Sequence, residues 1–158
     1  MAPPLDPIDL ALLAALGDEP RATVVALAER LMLSRNTVQS RMGRLERSGA
    51  LLSYQRSISP TAIGYPTQAY VSVMVRQQNL PVIRTELARI PEVLQADGLS
   101  GPVDILVRVA CRDAQHLFEV DARILAIDGV ERTETALVMD EVIDYRVAPL
   151  MERERRER

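Results

Sequence analysis

Residues 24–50, VVALAERLMLSRNTVQSRMGRLERSGA, constrain the fold of this chain more than any other stretch. They read as two short helices joined by a tight turn. Val24, Leu27, Ala28 and Leu31 share one face of the first helix, with Thr23 as its N-cap. The turn is Met32-Leu33. Ser34 is the expected N-cap of the second helix, which runs to about Ser48, and Gly49 is its stop.

The second helix has two unlike sides. At about 100° per residue, Val38, Met42 and Leu45 cluster on the buried side, and Asn36, Ser40, Gly43 and Arg47 point the opposite way. Thr37 and Arg44 take one flank, Gln39 and Glu46 the other, while Arg35 and Arg41 border the core. The outer face thus mixes amides, hydroxyls and guanidinium groups, the types that hydrogen-bond base edges and phosphates. A merely solvated helix would more often interleave Glu and Lys in i,i+4 pairs. Such a helix pair is how a protein sets one helix into the major groove of DNA.

Charge supports this reading locally, not globally. The net charge of −3 gives no overall basic field, yet Ser34–Arg47 holds four Arg against one Glu. Phosphate contacts require that kind of local excess. All 19 basic residues are Arg, which fits a GC-rich coding sequence. A single cysteine, Cys111, excludes an intramolecular disulfide and suits a reducing compartment. With no signal peptide and no long apolar run, the expected location is the cytoplasm and no membrane is expected as a partner.

Elsewhere the pattern sets the architecture. Asp6 is the expected N-cap of a first helix, with Pro7 at its start, Ile8, Leu12, Ala15 and Leu16 inward, and Gly17 as its stop. Leu51–Ile58 alternates as a strand, a wing or a linker, and Pro60, Gly64 and Pro66 mark a boundary. Beyond it come a strand at Gln68–Arg76, a helix at Leu80–Ile90 and strands at Val93–Leu99 and Val103–Ala110. Asp113 then caps a helix with Leu117, Val120, Ile124 and Ile127 inward, and a last strand spans Val130–Met139. This βαββαβ order is the ferredoxin-like split, in which helices cover one sheet face and the other is wet or covered by a partner. The expected fold class is α+β. Residues 1–50 form a helix-turn-helix domain, 51–66 a strand and linker, 67–148 a sensing and assembly domain, and 149–158 a charged, solvated tail.

The ordered parts resemble the Lrp/AsnC family of prokaryotic transcription regulators. LDPIDLALLAAL is similar to that family's opening Leu-Asp-x-x-Asp helix, and LAERLMLSRNTVQSRMGRLERSGALLSY to its helix-turn-helix signature. GLSGPVDILVRV falls where the family has a Gly-x-x-Asp loop, and VERTETALVMDEV resembles its last strand. The resemblance implies double-stranded DNA as a partner and homo-oligomers, dimers extending to tetramers or octamers. It also implies a small effector, usually an amino acid; the residues themselves offer no catalytic constellation, and no catalytic residue, metal or other cofactor is expected. By position, Ser34, Arg35, Asn36, Thr37, Gln39, Ser40, Arg41 and Arg44 would face DNA, and helix geometry adds Arg47. The effector pocket would be built from Leu99, Ser100, Gly101, Pro102 and Asp104, with Ala114 and Thr135, Ala136, Leu137 and Val138.

Four positions depart from the family pattern. Met32 stands where the turn usually has Gly, so either it takes a positive φ with strain or the turn differs. Gly43 replaces a common Arg or Lys. Pro102 and Ile105 replace the polar and aromatic residues usual around Asp104, which points to a different effector or none.

Two alternatives stand beside a sequence-specific regulator. One is a nucleoid-associated architectural protein with little sequence preference. The other is an enzyme like the siroheme decarboxylases, which resemble the same two-domain plan; here the only histidine, His116, lies in a helix and no matching histidine segment is visible. Cys111 reads as a small half-buried hydrophobe, and Asp140, Glu141 and Asp144 as charged surface. Asp104 serves equally well as a ligand group or as a strand-start residue.

Overall fold

A computed structural model describes residues 5–52 and 57–157. The chain divides into two compact units. One takes in the described residues up to Ser57 together with those from Ile143 onward, and the other is Ile58–Val142.

In the first unit, three helices enclose a small core: α1 (Pro7–Asp18), α2 (Val24–Leu31) and α3 (Arg35–Arg47). Each begins on a side-chain cap, Asp6, Thr23 and Ser34 accepting from the amides of Asp9, Ala26 and Thr37. Leu12, Ala15, Leu27, Ala28, Val38 and Leu45 form the buried cluster, with Met42 and Leu51 packed beside it. Burying each large side chain contributes roughly 1.5–3 kcal/mol.

Three details differ from the sequence reading. Ile8 is exposed and Asp9 is fully buried instead, because the carboxylate finds partners on α3. Gly17 lies inside α1, which ends only at Asp18. The terminal segment, expected as a charged tail and solvated helix end from 149, is the largely exposed helix α6 (Ala148–Arg156), which begins one residue earlier and touches α1 within the same unit. The expected strand Leu51–Ile58 falls largely on 53–56, outside the described residues.

The turn between α2 and α3 is built on Met32, whose φ of 53° and ψ of 44° are left-handed. Its amide and that of Leu33 reach back to the last turn of α2, the amide of Leu33 donating to the carbonyl of Ala28 at 2.9 Å. These bonds satisfy carbonyls that would otherwise end the helix unpaired.

The second unit is a four-stranded antiparallel sheet in the order β2-β3-β1-β4, with β1 (Thr67–Val75), β2 (Val93–Gly98), β3 (Ile105–Cys111) and β4 (Val130–Leu137). Helices α4 (Leu80–Leu87) and α5 (Ala114–Leu125) follow β1 and β3. The elements match the expected order, although α4 stops short of Ile90 and β3 begins at Ile105 instead of Val103. Ala69, Val71, Val73 and Val75 point to the core with Val107, Val109, Ile83, Leu117, Val120 and Ile124. Gly129 turns the chain into β4 with a φ of 93°, and a Cβ there would lie 2.2 Å from Asn79 Cβ, so only glycine fits.

Candidate nucleic-acid interface

The exposed side of α3 follows from its capping and its buried stripe. The Ser34 hydroxyl accepts from the Thr37 amide at 3.0 Å and lies 2.8 Å from the Thr37 hydroxyl, which fixes the first turn. Val38 and Leu45 anchor the helix inward, leaving Arg35, Asn36, Gln39, Ser40 and Arg47 exposed. Among the described residues, Arg35 and Arg47 take part in no ion pair.

Arg41 and Arg44 have different surroundings. Both guanidiniums turn toward the start of α1. Arg41 Nη1 donates to Asp6 Oδ2 at 2.6 Å and to Asp9 Oδ1 at 2.9 Å. Arg44 Nη2 donates to Asp9 Oδ1 at 2.5 Å and also contacts Asp9 Oδ2. The two aspartates are themselves locked in a reciprocal cap: the Asp9 amide donates to Asp6 Oδ1 and the Asp6 amide to Asp9 Oδ2. The hydrogen bond from Arg41, then that from the Asp9 amide, hold the Asp6 carboxyl below the usual range, while Asp6 and then Asp9 raise the Arg41 guanidinium.

Between α1 and α3 lies an open hollow of about 550 Å³, lined by Asp6, Asn36, Thr37, Ser40, Arg41 and Arg44. The carboxylates were missed as partners of α3 because Asp6 and Asp9 were read only as a helix start. The available signal was their i,i+3 spacing opposite two arginines also three apart.

The expected effector residues do not converge within one chain. Leu99–Asp104 forms the loop between β2 and β3, beside the end of β1, where the Asp104 amide donates to the Val73 carbonyl. Leu137 pairs with Ala69 near the start of β1, on the opposite side from β3. At about 3.3 Å per residue, Leu137 is offset from Asp104 by roughly 13 Å along β1 and Thr135, opposite Val71, by roughly half that, in addition to lying across the strand. Ala114 opens α5 just after β3 ends.

Several of these side chains have internal partners. Asp104 Oδ2 accepts from the Val75 amide at 2.9 Å and Oδ1 from Gln77 Nε2 at 2.6 Å, so its carboxylate ties the loop to the end of β1. The Thr135 hydroxyl donates to Asp121 at 2.8 Å. A further cluster ties α5 to the segment before β2. Glu92, with its side chain 11% exposed, accepts from Arg123 at 2.5 Å and pairs with His116 Nε2 at 3.0 Å. The Arg112 amide donates to His116 Nδ1, which leaves Nε2 as the protonated nitrogen facing Glu92. Buried Cys111 is pushed up to about 11 by burial and then by the nearby Glu92 charge, so it is no ready thiolate.

A capped helix pair presenting a polar, arginine-bearing helix, joined to a βαββαβ unit, defines a DNA-binding transcription regulator with an attached sensing domain. Comparison with known proteins gives the particular family. Residues 5–51 match winged helix-turn-helix DNA-binding domains, and residues 68–148 match the Lrp/AsnC ligand binding domain. The HTH-type transcriptional regulator Rv2324 of Mycobacterium tuberculosis is 31% identical over 89% of this chain and 95% of its own length. The solved structure of Escherichia coli AsnC superposes with a TM-score of 0.80 at 25% identity, covering 93% of this chain and all of that one. A transcriptional regulator of Neisseria meningitidis, NMB0573, solved as an L-Met complex, covers 89% of this chain and 93% of its own, with a TM-score of 0.76 at 28% identity. The chain belongs to the Lrp/AsnC family of transcriptional regulators.

Proposed function

We propose that this regulator reads specific DNA sequences as a dimer or larger assembly and that a small effector, an amino acid, biases its binding. The observation that carries the reading is the exposed face of α3, where Asn36, Gln39 and Ser40 sit between two arginines free of ion pairs among the described residues. Asn and Gln suit bidentate contact with adenine, and Ser suits either base edge. Arg35 and Arg47 supply the phosphate contacts. Ser34 and Thr37 frame the N-terminal turn, which enters the groove first. Arg41 and Arg44 border the same face but contribute through a cluster already occupied by carboxylates.

A two-fold dimer would set two such helices about 34 Å apart, one turn of DNA, and so match a pseudo-palindromic site. The second unit supplies the surface for assembly. On its helix-free face lie Tyr70, Met74 and Leu106, with Arg108 bonded to Gln68 at 2.9 Å and, among the described residues, its buried Nε without a partner. A second copy laid on that face would cover these groups. Because Leu99–Asp104 and Thr135–Val138 stand apart in one chain, an effector pocket using both would take residues from two copies. The L-Met complex of the Neisseria relative supports an amino acid as the ligand class. An effector shifts regulation only by binding one assembly more tightly, and coupling of about 1–3 kcal/mol suffices. The site of action would be the cytoplasm, where the chromosome lies.

The test is a gel shift on the DNA upstream of the protein's own gene against random DNA at fixed salt, repeated with each amino acid. A specific shift altered by one of them is the expected result. Loss of any specific shift sinks the reading, and equal affinity for both DNAs turns it into an architectural one.

A further inference from the structure

The geometry points to Asp6 as an electrostatic brake on DNA binding, a carboxylate that lowers the attraction of the α3 face for any duplex. This inference rests on the reading that α3 enters DNA.

Two guanidiniums and two carboxylates share the hollow between α1 and α3, so its formal charge is zero. The two carboxylates are not equivalent. Asp9 is fully buried and contacts both Arg41 and Arg44, so it is sufficient to orient them. Asp6 has its side chain 43% exposed and lines the open hollow, 2.6 Å from Arg41 and 3.9 Å from Arg44. Orientation does not require it.

Capping does not require its charge either. Asp6 Oδ1 accepts the Asp9 amide, and Asn or Ser caps a helix about as well as Asp. What the charge adds is a negative field beside the groups that face DNA. A phosphate reaching Arg41 must displace Asp6 or sit next to it, and like charges at such distances repel. Arg35 and Arg47 are left to carry the net attraction, and base-edge contacts to carry the rest of the affinity.

The experiment compares full-length wild type, Asp6→Asn and Asp6→Ser for binding to a labelled random-sequence duplex across a salt series. Thermal unfolding confirms that each variant folds. Both neutral caps should bind about fivefold more tightly at low salt. Their log affinity should fall with log salt more steeply, by about 0.9, as the hollow gains one net positive charge that can meet one more phosphate. Folded variants that bind no more tightly than wild type overturn the brake while leaving the DNA reading intact. A wild type that fails to bind duplex at low salt removes both.

Discussion

Asp9 of α1 and Arg41 of α3 meet at 2.9 Å across 32 residues of sequence, and the carboxylate is completely buried. A buried carboxylate is tolerated only where donors replace its lost hydration. Here two guanidiniums and the Asp6 amide supply them, so the ion cluster also ties α1 to α3, the helix proposed to enter DNA.

That dependence predicts the cost of breaking it. Asp9→Ala should lower the unfolding free energy by about 3 kcal/mol, since it takes the hydrogen-bonded carboxylate from Arg44, leaves Arg41 with Asp6 alone and opens a void. Arg44→Ala should cost less, because Arg41 still pairs with Asp9. Urea titration of the three proteins checks the order, and equal costs would mean that the arginines do not share one carboxylate. It follows that weakened DNA binding by Arg44→Ala cannot be read as a lost phosphate contact until stability is matched. Arg47→Ala, on an exposed residue without an ion pair among the described residues, is the cleaner probe.

Met32 sits in the left-handed region and is 92% exposed. Its side chain therefore gains little from packing while its backbone is strained. Met32→Gly should stabilise the chain by about 1 kcal/mol, the αL strain relieved less the extra freedom glycine gives the unfolded chain. A rise in the urea midpoint at unchanged m-value is the expected signature. A fall would show that the Met side chain matters more than its φ.

These two sites mark how far the sequence could be read. Met32 was visible as a departure from glycine, because a turn of that kind demands one conformation whatever surrounds it. The strand and helix order was equally legible: alternation in Ala69–Val75 and the spacing of Leu117, Val120 and Ile124 are local properties. The fate of Arg41, Arg44 and Asp104 was not, because their partners lie 27 to 35 residues away and no periodicity records which partner a flexible side chain will choose. Ile8 was misplaced for the same reason. A hydrophobic stripe assigns the core to apolar residues and cannot foresee a buried Asp9.

Glu92 gives a prediction about acid. Burial pushes its carboxyl up, but its own backbone amide and the donors Arg123 and His116 outweigh burial and hold it below its ordinary 4.5. The folded chain then binds fewer protons than the unfolded one in that range, so the stabilisation is complete above 4.5 and disappears as pH falls through the lower folded value. Glu92→Gln should be less stable than wild type at neutral pH, and the gap should close on acidification. A gap that persists into strong acid would mean that the ionised carboxylate contributes nothing.

Gly43 offers a gain instead of a loss. It lies inside the unbroken α3 beside the exposed face, and a Cβ there would come within 3.2 Å only of the flexible tip of Arg47. Gly43→Ala should therefore stabilise the helix by up to about 1 kcal/mol and leave the salt dependence of DNA binding unchanged. Gly43→Arg should add the same helix term and a guanidinium facing the duplex. Its log affinity for DNA should then fall with log salt more steeply by about 0.9, the mark of one extra phosphate. The alanine variant separates the two effects, since it shares the helix gain but brings no charge. An arginine variant with the alanine variant's salt slope would place residue 43 away from the phosphate backbone and turn α3 about its axis relative to the proposed approach.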